Sequence, residues 1–302
     1  MSASPPAWDI AGKSVLITGA TSGIGQAAAI ELVRRGAALS VLGRSPAKLE
    51  ALAAEIAEKA GGASIATFVA DLSDLARVRA VAGEILAALP RIDVLINNAG
   101  VAARSAKLGP SGHDEMLAGN YLGPFLLTHL LLGRLEESAP ARVIFTASEA
   151  HRATRGLDPA GFEHVGDYRG VTAQFAYGTT KLLDLLAADE LARRLDPSIV
   201  SVTSFCPGAV NTGLIAEVPR AERIGALLSR TPILRTPEQG ARKLVELATT
   251  PTITGGDGGF HTSTPLARLL PRRRIRDDLP TVRTVYERTC ALVDVDPVGQ
   301  MS

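Results

Sequence analysis

The sequence has few of the residues that mark a secreted, metal-binding or nucleic-acid-binding protein. It contains two cysteines in 302 residues, Cys206 and Cys290. They are too few for a disulfide framework, so we expect reduced thiols and a cytoplasmic protein. The five histidines show no metal-ligand spacing, and we expect no catalytic metal. A net charge of +1 gives no indication of nucleic-acid binding.

Long hydrophobic runs are also scarce. The start of the chain, residues 1–13, is polar and includes Pro5, Pro6 and Asp9, which argues against a signal peptide. No later run reaches the roughly 18 apolar residues of a transmembrane helix. An apolar content of 46% and a charged content of 21% are instead typical of a globular protein with a buried core. We therefore expect no membrane span.

The first informative pattern is a glycine-rich turn between a predicted strand and a predicted helix. Residues 14–18 form a short apolar run, and an amphipathic helix extends to about Arg35. Between them, Gly19, Gly23 and Gly25 have the spacing G-x-x-x-G-x-G. Glycines permit a tight turn and close backbone approach, and a helix N-terminus attracts phosphate. The pattern favours a dinucleotide cradle over a plain glycine turn.

The end of the second predicted strand, residues 38–42, indicates which dinucleotide is bound. NAD-binding proteins place a carboxylate here to hold the adenosine ribose, and this sequence has none. Arg44 could instead meet a 2′-phosphate, and Ser45 could add a hydrogen bond. The alternative is an exposed arginine at the start of the helix predicted for 47–59. We favour NADP(H), with NAD(H) as the second choice.

Two further predicted strands end in polar or small residues. Asp71 follows the strand at 64–70 and could contact the adenine amino group, while one polar residue of 71–74 caps the next helix. The strand at 92–96 runs into Asn97, Asn98, Ala99 and Gly100. Small residues beside amides suit a backbone that lies close to the ribose and nicotinamide.

Catalytic chemistry is indicated by Tyr177 and Lys181, which lie four residues apart on a predicted helix and therefore share a face. A cation there favours the phenolate and lowers the tyrosine pKa from about 10, so that the phenol can pass a proton near neutral pH. Ser148 follows the strand at 143–146, at the strand end where open α/β sheets bind ligands. No Gly-x-Ser-x-Gly elbow surrounds it, which argues against a hydrolase. Asn120, within a helix predicted for 113–135, is by itself as well explained by the core or the surface.

The remaining segments predict the rest of a single fold. A sixth strand is predicted at 199–205 and leads to Pro207 and Gly208. The next segment, 213–235, is a candidate substrate lid. A helix is predicted at 237–249, and the glycine-rich segment 255–260 approaches a last edge strand. Residues 149–173 form either a cover over the substrate site or a solvated excursion. The basic stretch 266–276 is more consistent with a solvated face than with a membrane or acidic-substrate contact.

Strands alternating with helices predict an α/β fold, a single doubly wound Rossmann domain over 1–302 with a mostly parallel sheet flanked by helices. Its cofactor half spans about 12–150 and its catalytic and substrate part about 148–302.

Taken together, these motifs resemble the short-chain dehydrogenase/reductase superfamily over residues 12–215. The matching elements are Thr18-Gly19-x-x-x-Gly23-x-Gly25, Asp71-Leu72, Asn97-Asn98-Ala99-Gly100, Asn120, Ser148, Tyr177-x-x-x-Lys181 and Pro207-Gly208. Four further features resemble the retinol dehydrogenase-like branch of this superfamily, which acts on apolar aldehydes and alcohols. They are the long interval from Ser148 to Tyr177 and the sequences of residues 111–115, 123–128 and 285–290. Tyr121 and Pro124 replace the branch's usual His-rich helix, and the N-terminal membrane anchor of animal members is absent, which fits a soluble bacterial-type enzyme.

The resemblance implies an NADP-dependent alcohol dehydrogenase or carbonyl reductase. Tyr177 would protonate the developing alkoxide and Ser148 would donate to the same oxygen. Lys181 would lower the pKa of Tyr177 and bind the nicotinamide ribose, and Asn120 would hold a water that links Lys181 to solvent. The implied catalytic set is Asn120, Ser148, Tyr177 and Lys181. The implied cofactor contacts are Gly19, Thr21, Ser22, Gly23, Ile24, Gly25, Arg44, Asp71, Leu72, Asn98, Ala99, Gly100, Tyr177, Lys181, Pro207, Gly208, Val210 and Thr212.

The resemblance also implies a homodimer or homotetramer that pairs through the helices around Asn120 and Tyr177. Two other functions stay open. One is a 3-oxoacyl or polyketide ketoreductase, against which the long 149–173 loop and the tail argue. The other is a non-enzymatic NADP-sensing regulator, against which the intact Tyr-Lys-Ser set argues.

Overall fold

One parallel β-sheet organises the chain. The computed structural model describes residues 8–154, 156–210, 235–251, 259–264, 267, 270–271 and 273–299. Seven strands are ordered β3-β2-β1-β4-β5-β6-β7, and every neighbouring pair is parallel. The strands are β1 (Ser14–Thr18), β2 (Ala38–Gly43), β3 (Ala66–Val69), β4 (Val94–Asn97), β5 (Ala141–Thr146), β6 (Val200–Cys206) and β7 (Phe260–Thr262). The predicted Rossmann architecture is confirmed, and the edge strand expected after the glycine-rich segment is β7.

Helices cover both faces of the sheet. They are α1 (Gly23–Arg34), α2 (Pro46–Lys59), α3 (Leu75–Ala88), α4 (Glu115–Leu117), α5 (Gly123–Glu137), α6 (Val171–Arg194), α7 (Pro237–Thr249) and α8 (Leu279–Leu292). A π-helical turn, Ala118–Leu122, joins α4 to α5. Shorter 3₁₀ helices span Glu149–Ala153 and Arg274–Arg276.

Successive side chains along the central strands point to opposite faces of the sheet and fill two separate cores. Val15 and Ile17 of β1 face the core under α1, α2 and α7, whereas Leu16 faces the core shared with α3, α5, α6 and α8. Both faces of each central strand are buried, which is why these strands are continuous apolar runs rather than alternating ones. The carboxyl ends of β1, β4, β5 and β6 consequently meet at one edge of the sheet.

Helix α6 is buried on all sides in its second half, contrary to the one-sided pattern of a surface helix. Every residue from Thr180 to Leu191 is buried. The charged residues among them are paired: Asp189 binds Arg276 at 2.6 and 2.7 Å, and Glu190 accepts from Arg194 at 2.8 Å. The C-terminal helix α8 packs along α6, so the chain itself covers this face.

The predicted tail motif (285–290) is part of that cover. Tyr286 meets the ring of Phe125 edge-on at 5.5 Å and shares a 2.9 Å hydrogen bond with His129 Nε2. The hydroxyls of Tyr121 and Thr289 are hydrogen-bonded at 2.6 Å. Tyr121 thereby ties the π-helical turn to α8.

The basic stretch 266–276 is a solvated face only in part. Arg276 is 3% exposed and pairs with Asp189. Arg273 donates to the carbonyls of His151, Arg152 and Thr154 at 3.0–3.2 Å. The solvated-face interpretation is therefore wrong for these two residues, because their guanidiniums hold the C-terminal segment on the 3₁₀ helix and on α6.

Among the described residues, one helical stretch is long and apolar enough to cross a membrane by length and composition. It is Glu115–Glu137, and 72% of its most apolar window is buried in the fold. Its apolar side chains, such as Leu122 and Leu126, belong to the protein core.

Candidate active site

The glycine turn after β1 has the geometry of a close-approach cradle. Gly19 has φ +68°, and a Cβ on it would lie 2.6 Å from Ala99 Cα. A Cβ on Gly25 would lie 2.5 Å from both Asn98 Nδ2 and the Gly19 carbonyl oxygen. No side chain larger than hydrogen fits at either position. Ser22 begins α1 without a side-chain hydrogen bond, so within the described chain the first N–H groups of α1 have no side-chain cap and suit an anion.

Thr18 and Asn98 bind the turn to the end of β4. Thr18 Oγ1 accepts from the backbone N–H groups of Asn98 and Ala99 at 3.0 Å each. Asn98 Nδ2 donates to the carbonyls of Thr18 and Gly19 at 3.1 Å. The side chain of Asn98, predicted as a cofactor contact, thus shapes the turn itself. Thr18 belongs to the glycine-turn motif, but this role was not predicted from the sequence.

Arg44 lies exposed at the carboxyl end of β2, beside this turn, and no described residue pairs with its guanidinium. Ser45 Oγ accepts from the Lys48 N–H at 3.4 Å and is the N-cap of α2. Its hydroxyl therefore already has a structural partner.

The polar residues after β3 divide their roles. Asp71 Oδ1 accepts from the backbone and side chain of Ser73 at 2.9 and 2.8 Å, whereas Asp74 caps α3 by accepting from the Arg77 N–H. Leu72 is buried, and its carbonyl would collide with any Cβ on Gly123. The contact of Asp71 and Leu72 with a cofactor stays a prediction.

At the end of β6, Pro207 and Gly208 lead to Val210, which contacts the start of α7. A Cβ on Gly240 would lie 2.7 Å from Val210 and 3.1 Å from Ile24, so both of these predicted cofactor contacts lie against one small residue. Thr212 and the predicted lid at 213–235, apart from Arg235, are outside the described residues.

Ser148 and Tyr177 are brought together by a close contact between the 3₁₀ helix and α6. Ser148 ends the β5 segment and begins the 3₁₀ helix, with its Oγ accepting from the Ala150 N–H at 3.1 Å. A Cβ on Gly178 would lie 2.4 Å from the Ala150 carbonyl oxygen, so this turn rests directly on α6. The side chain of Ser148 lies near the phenol of Tyr177 and acts to lower the pKa of that phenol. The role of Gly178 was not predicted.

Lys181 lies one helical turn from Tyr177, with its ammonium buried. Nζ donates to the Thr146 carbonyl at 2.9 Å and to Asp184 Oδ2 at 2.8 Å. A Cβ on Gly100 would be 3.6 Å from Lys181 Nζ, so the predicted Asn-Ala-Gly turn borders the lysine. Asp184 was not predicted, although an acid three residues after a lysine on a helix is the spacing of an ion pair.

The pKa of Tyr177 is raised above its ordinary value, because burial of the phenol outweighs the opposing charge of Lys181. The negative charge of the Asp184 carboxylate raises it further. The predicted net lowering of the tyrosine pKa is therefore wrong for this structure, although Lys181 acts in the predicted direction.

Asn120 is held in the π-helical turn by its side-chain amide. Its Oδ1 accepts from the Val101 N–H at 2.7 Å, and its Nδ2 donates to the Val101 carbonyl at 2.8 Å and to Thr180 Oγ1 at 3.1 Å. The amide thus fixes the segment after Gly100 to α6. The water link to Lys181 stays a prediction.

An apolar surface borders Tyr177. Met116, Tyr168 and Ala173 form a buried cluster that includes Val101, Ala103, Ala106, Val165, Ala176 and Tyr177 at its margin. Tyr168 donates its hydroxyl to the Asp114 carboxylate at 2.9 Å, and Asp114 also caps α4. Part of the 149–173 loop therefore packs beside Tyr177, and its role as a cover over the substrate site stays a prediction.

The arrangement can transfer a proton to or from an oxygen at the carboxyl edge of the sheet. Ser148 lies near Tyr177, the buried ammonium of Lys181 lies one helical turn from the phenol, and an apolar cluster borders it. The glycine cradle lies at the same edge, where an open α/β sheet binds a dinucleotide.

Comparison with known proteins agrees with this geometry. A family model described as short chain dehydrogenase matches residues 13–159. Mouse retinol dehydrogenase 14 is 36% identical over 273 residues, which cover 86% of this chain and 80% of the relative. A Streptomyces protein with the provisional name daunorubicin C-13 ketoreductase DnrU is 37% identical over 288 residues, 95% of each chain.

A solved structure shares the fold. The Pseudomonas aeruginosa RhlG/NADP active-site complex superposes with a TM-score of 0.68 at 26% identity, over 86% of this chain and 98% of that one. The matched sequence, the parallel sheet and the glycine turn lead to one conclusion. This chain belongs to the short-chain dehydrogenase/reductase family of oxidoreductases, in its retinol dehydrogenase-like branch.

Proposed function

We propose that this protein is an NADP(H)-dependent oxidoreductase that interconverts an alcohol and an aldehyde or ketone on an apolar small molecule. The observation that carries the proposal is that Ser148 and Tyr177 lie side by side, with the buried ammonium of Lys181 one helical turn from Tyr177. The residues proposed for proton transfer, charge stabilisation and ribose binding therefore lie at the same edge of the sheet as the glycine cradle.

In this proposal each residue acts on the reacting oxygen or holds a group that does. Tyr177 passes a proton to the oxygen and Ser148 donates a hydrogen bond to it, which stabilises the charge that develops there. Lys181 favours the phenolate of Tyr177 and has three N–H donors. Among the described residues, Thr146 and Asp184 accept two of them, and the third would bind the cofactor ribose. A bound nicotinamide would supply or accept the hydride.

The cradle fits a dinucleotide. Gly19 and Gly25 leave room for backbone approach only because neither has a Cβ, and α1 offers its uncapped N-terminus to a pyrophosphate. Arg44 is exposed at the end of β2 and has no partner among the described residues. It supports NADP over NAD, because a guanidinium binds a phosphate through charge-assisted hydrogen bonds. The NADP in the related Pseudomonas structure is consistent with this choice.

The apolar cluster beside Tyr177 supports an apolar substrate. A ketone of polyketide type is the second candidate, favoured by the Streptomyces relative, whose provisional name is that of a C-13 ketoreductase and which matches 95% of the chain.

The test follows nicotinamide absorbance with NADPH and, separately, NADH against apolar aldehydes and ketones. We expect faster turnover with NADPH. Arg44→Ala should raise KM for NADPH but not for NADH, whereas Lys48→Ala, which removes another exposed cation four residues on, should change neither. Tyr177→Phe should retain cofactor binding and lose about 10²- to 10⁴-fold in turnover. Normal turnover by Tyr177→Phe would contradict the proposed role.

The predicted pairing of subunits through the helices around Asn120 and Tyr177 requires a free face of α6. Because α8 covers that face and residues 180–191 of α6 are all buried, we propose that the protein does not pair through α6 and is monomeric. Its location in the cytoplasm stays a prediction.

A further inference from the structure

A buried carboxylate lies directly behind the proposed catalytic lysine. Lys181 and Asp184 are 4% and 3% exposed, and their charged groups are 2.8 Å apart. Both are carried by one turn of α6. The pair therefore places a negative charge in the low-dielectric surroundings that Lys181 shares with Tyr177.

We propose that Asp184 is a positioning residue for Lys181 which also offsets the lysine charge beside Tyr177, and that it thereby raises the pH at which Tyr177 exchanges its proton. This inference rests on the proposed function for its consequences in catalysis, but its central claim concerns the phenol alone.

The position of Asp184 is not explained by the needs of the helix. Lys181 already has a backbone acceptor in the Thr146 carbonyl. The other buried acids of α6, Asp189 and Glu190, are paired with arginines and lie one to two turns farther from Tyr177. A second, ionic partner costs desolvation of the carboxylate, which a neutral acceptor would avoid.

Among the described titratable groups that face this cluster, Asp184 has the one carboxyl group. The others are Tyr177 and Lys181 on α6, Cys206 on β6 and Tyr121 on the π-helical turn. Burial raises the pKa of Tyr121, which therefore stays neutral. Burial also raises the pKa of Asp184 to about 6, against the opposing effect of Lys181, so the carboxylate is mostly ionised at pH 7.

The direction of the effect follows from the charges. Lys181 favours the phenolate, and Asp184 opposes it. Replacing the carboxylate by an amide keeps an oxygen that can accept from Lys181 and removes only the negative charge. The phenolate should then form at a lower pH, by about one pH unit, the lower end of the range for a close charge.

The first experiment titrates the phenol without cofactor or substrate. The ultraviolet absorbance of phenolate is followed at alkaline pH for the wild type and for Tyr177→Phe, and their difference isolates Tyr177. The same pair is measured in the Asp184→Asn background. Asp196→Asn, the same change in the exposed turn after α6, is the control and should leave the midpoint unchanged.

A downward shift of about one unit in Asp184→Asn, absent in Asp196→Asn, supports the proposal. An unchanged midpoint of the Tyr177 titration would assign Asp184 a purely structural role. An upward shift of that midpoint would mean that Asp184 sustains the charge of Lys181 rather than offsetting it. Either result overturns the proposal. If Asp184→Asn does not fold, Asp184→Ser, neutral and smaller, gives the same comparison.

The second experiment places the result in catalysis. In the presence of NADP and a turned-over alcohol, the lower limb of the pH profile of kcat/KM should move downward in Asp184→Asn by the same amount. A shift in the phenol titration with no oxidation of any alcohol would uphold the charge effect and refute the proposed function, so the two claims fail separately.

Discussion

Gly178 gives the sharpest test of how the two hydroxyls are positioned. A Cβ added there would lie 2.4 Å from the Ala150 carbonyl oxygen, about 1 Å closer than ordinary contact. The two atoms nearest to this Cβ are the oxygen and carbon of the Ala150 carbonyl, which belong to the backbone. The 3₁₀ helix and α6 must therefore separate for Gly178→Ala to fold. Because Ser148 begins that 3₁₀ helix, it would move with it relative to Tyr177.

The expected effects on stability and activity differ in size. Alanine favours a helix over glycine by about 1 kcal/mol, and the overlap costs about 1–3 kcal/mol. The free energy of unfolding should therefore change by at most about 2 kcal/mol. A displacement near 1 Å at a reacting group can reduce kcat/KM about 10²-fold.

The matched control is Gly133→Ala, at an exposed position of α5 where an added Cβ meets nothing within 4 Å. It should raise the free energy of unfolding by about 1 kcal/mol, measured by urea denaturation, and leave kcat/KM unchanged. Full activity in a folded Gly178→Ala protein would refute the argument that this contact places Ser148.

Two further predictions concern the C-terminal helix. Burial lowers the pKa of His129 to about 4, so the unfolded chain binds more protons than the folded one between about pH 4 and the ordinary value near 6.5. The contribution of His129 to stability is thus present above pH 6.5 and lost as the pH falls to 4, by about 3 kcal/mol. The free energy of unfolding of His129→Gln, compared with that of the wild type across this range, should not show this loss. In light scattering after gel filtration, the native chain should have the mass of one copy, 31.5 kDa. A stable dimer would contradict this prediction. If Tyr286→Lys, which places a charge under α8, leaves such a dimer intact, the subunits pair through another face.

Much of the site could be predicted because its motifs are local. The turn from Gly19 to Gly25 joins consecutive elements, and Tyr177 and Lys181 share a face because they lie four apart on one helix. Asp184, equally local, could have been found from its spacing to Lys181. The direction of the net pKa shift of Tyr177 could not, because burial depends on what packs over the helix.

Contacts between distant parts of the chain were beyond the sequence. Nothing in the segment around Ala150 shows that its carbonyl will rest on Gly178, and nothing in 273–276 shows that Arg276 will enter the core to meet Asp189. Asn120 was recognised by its place in a motif, but its bonds to Val101 and Thr180 depend on the packing of a π-helical turn against α6.

The sequence by itself determined the order of strands and helices, the cradle and the chemical groups of the site, because hydrophobic period, glycine spacing and residue type are local properties. Only the tertiary structure decided that α8 covers α6, that Asp184 is buried beside Lys181, and that the 149–173 loop adds Tyr168 to the apolar cluster beside Tyr177. Desolvation and covering of a face depend on atoms far away in the chain, so they exist only once the chain has folded.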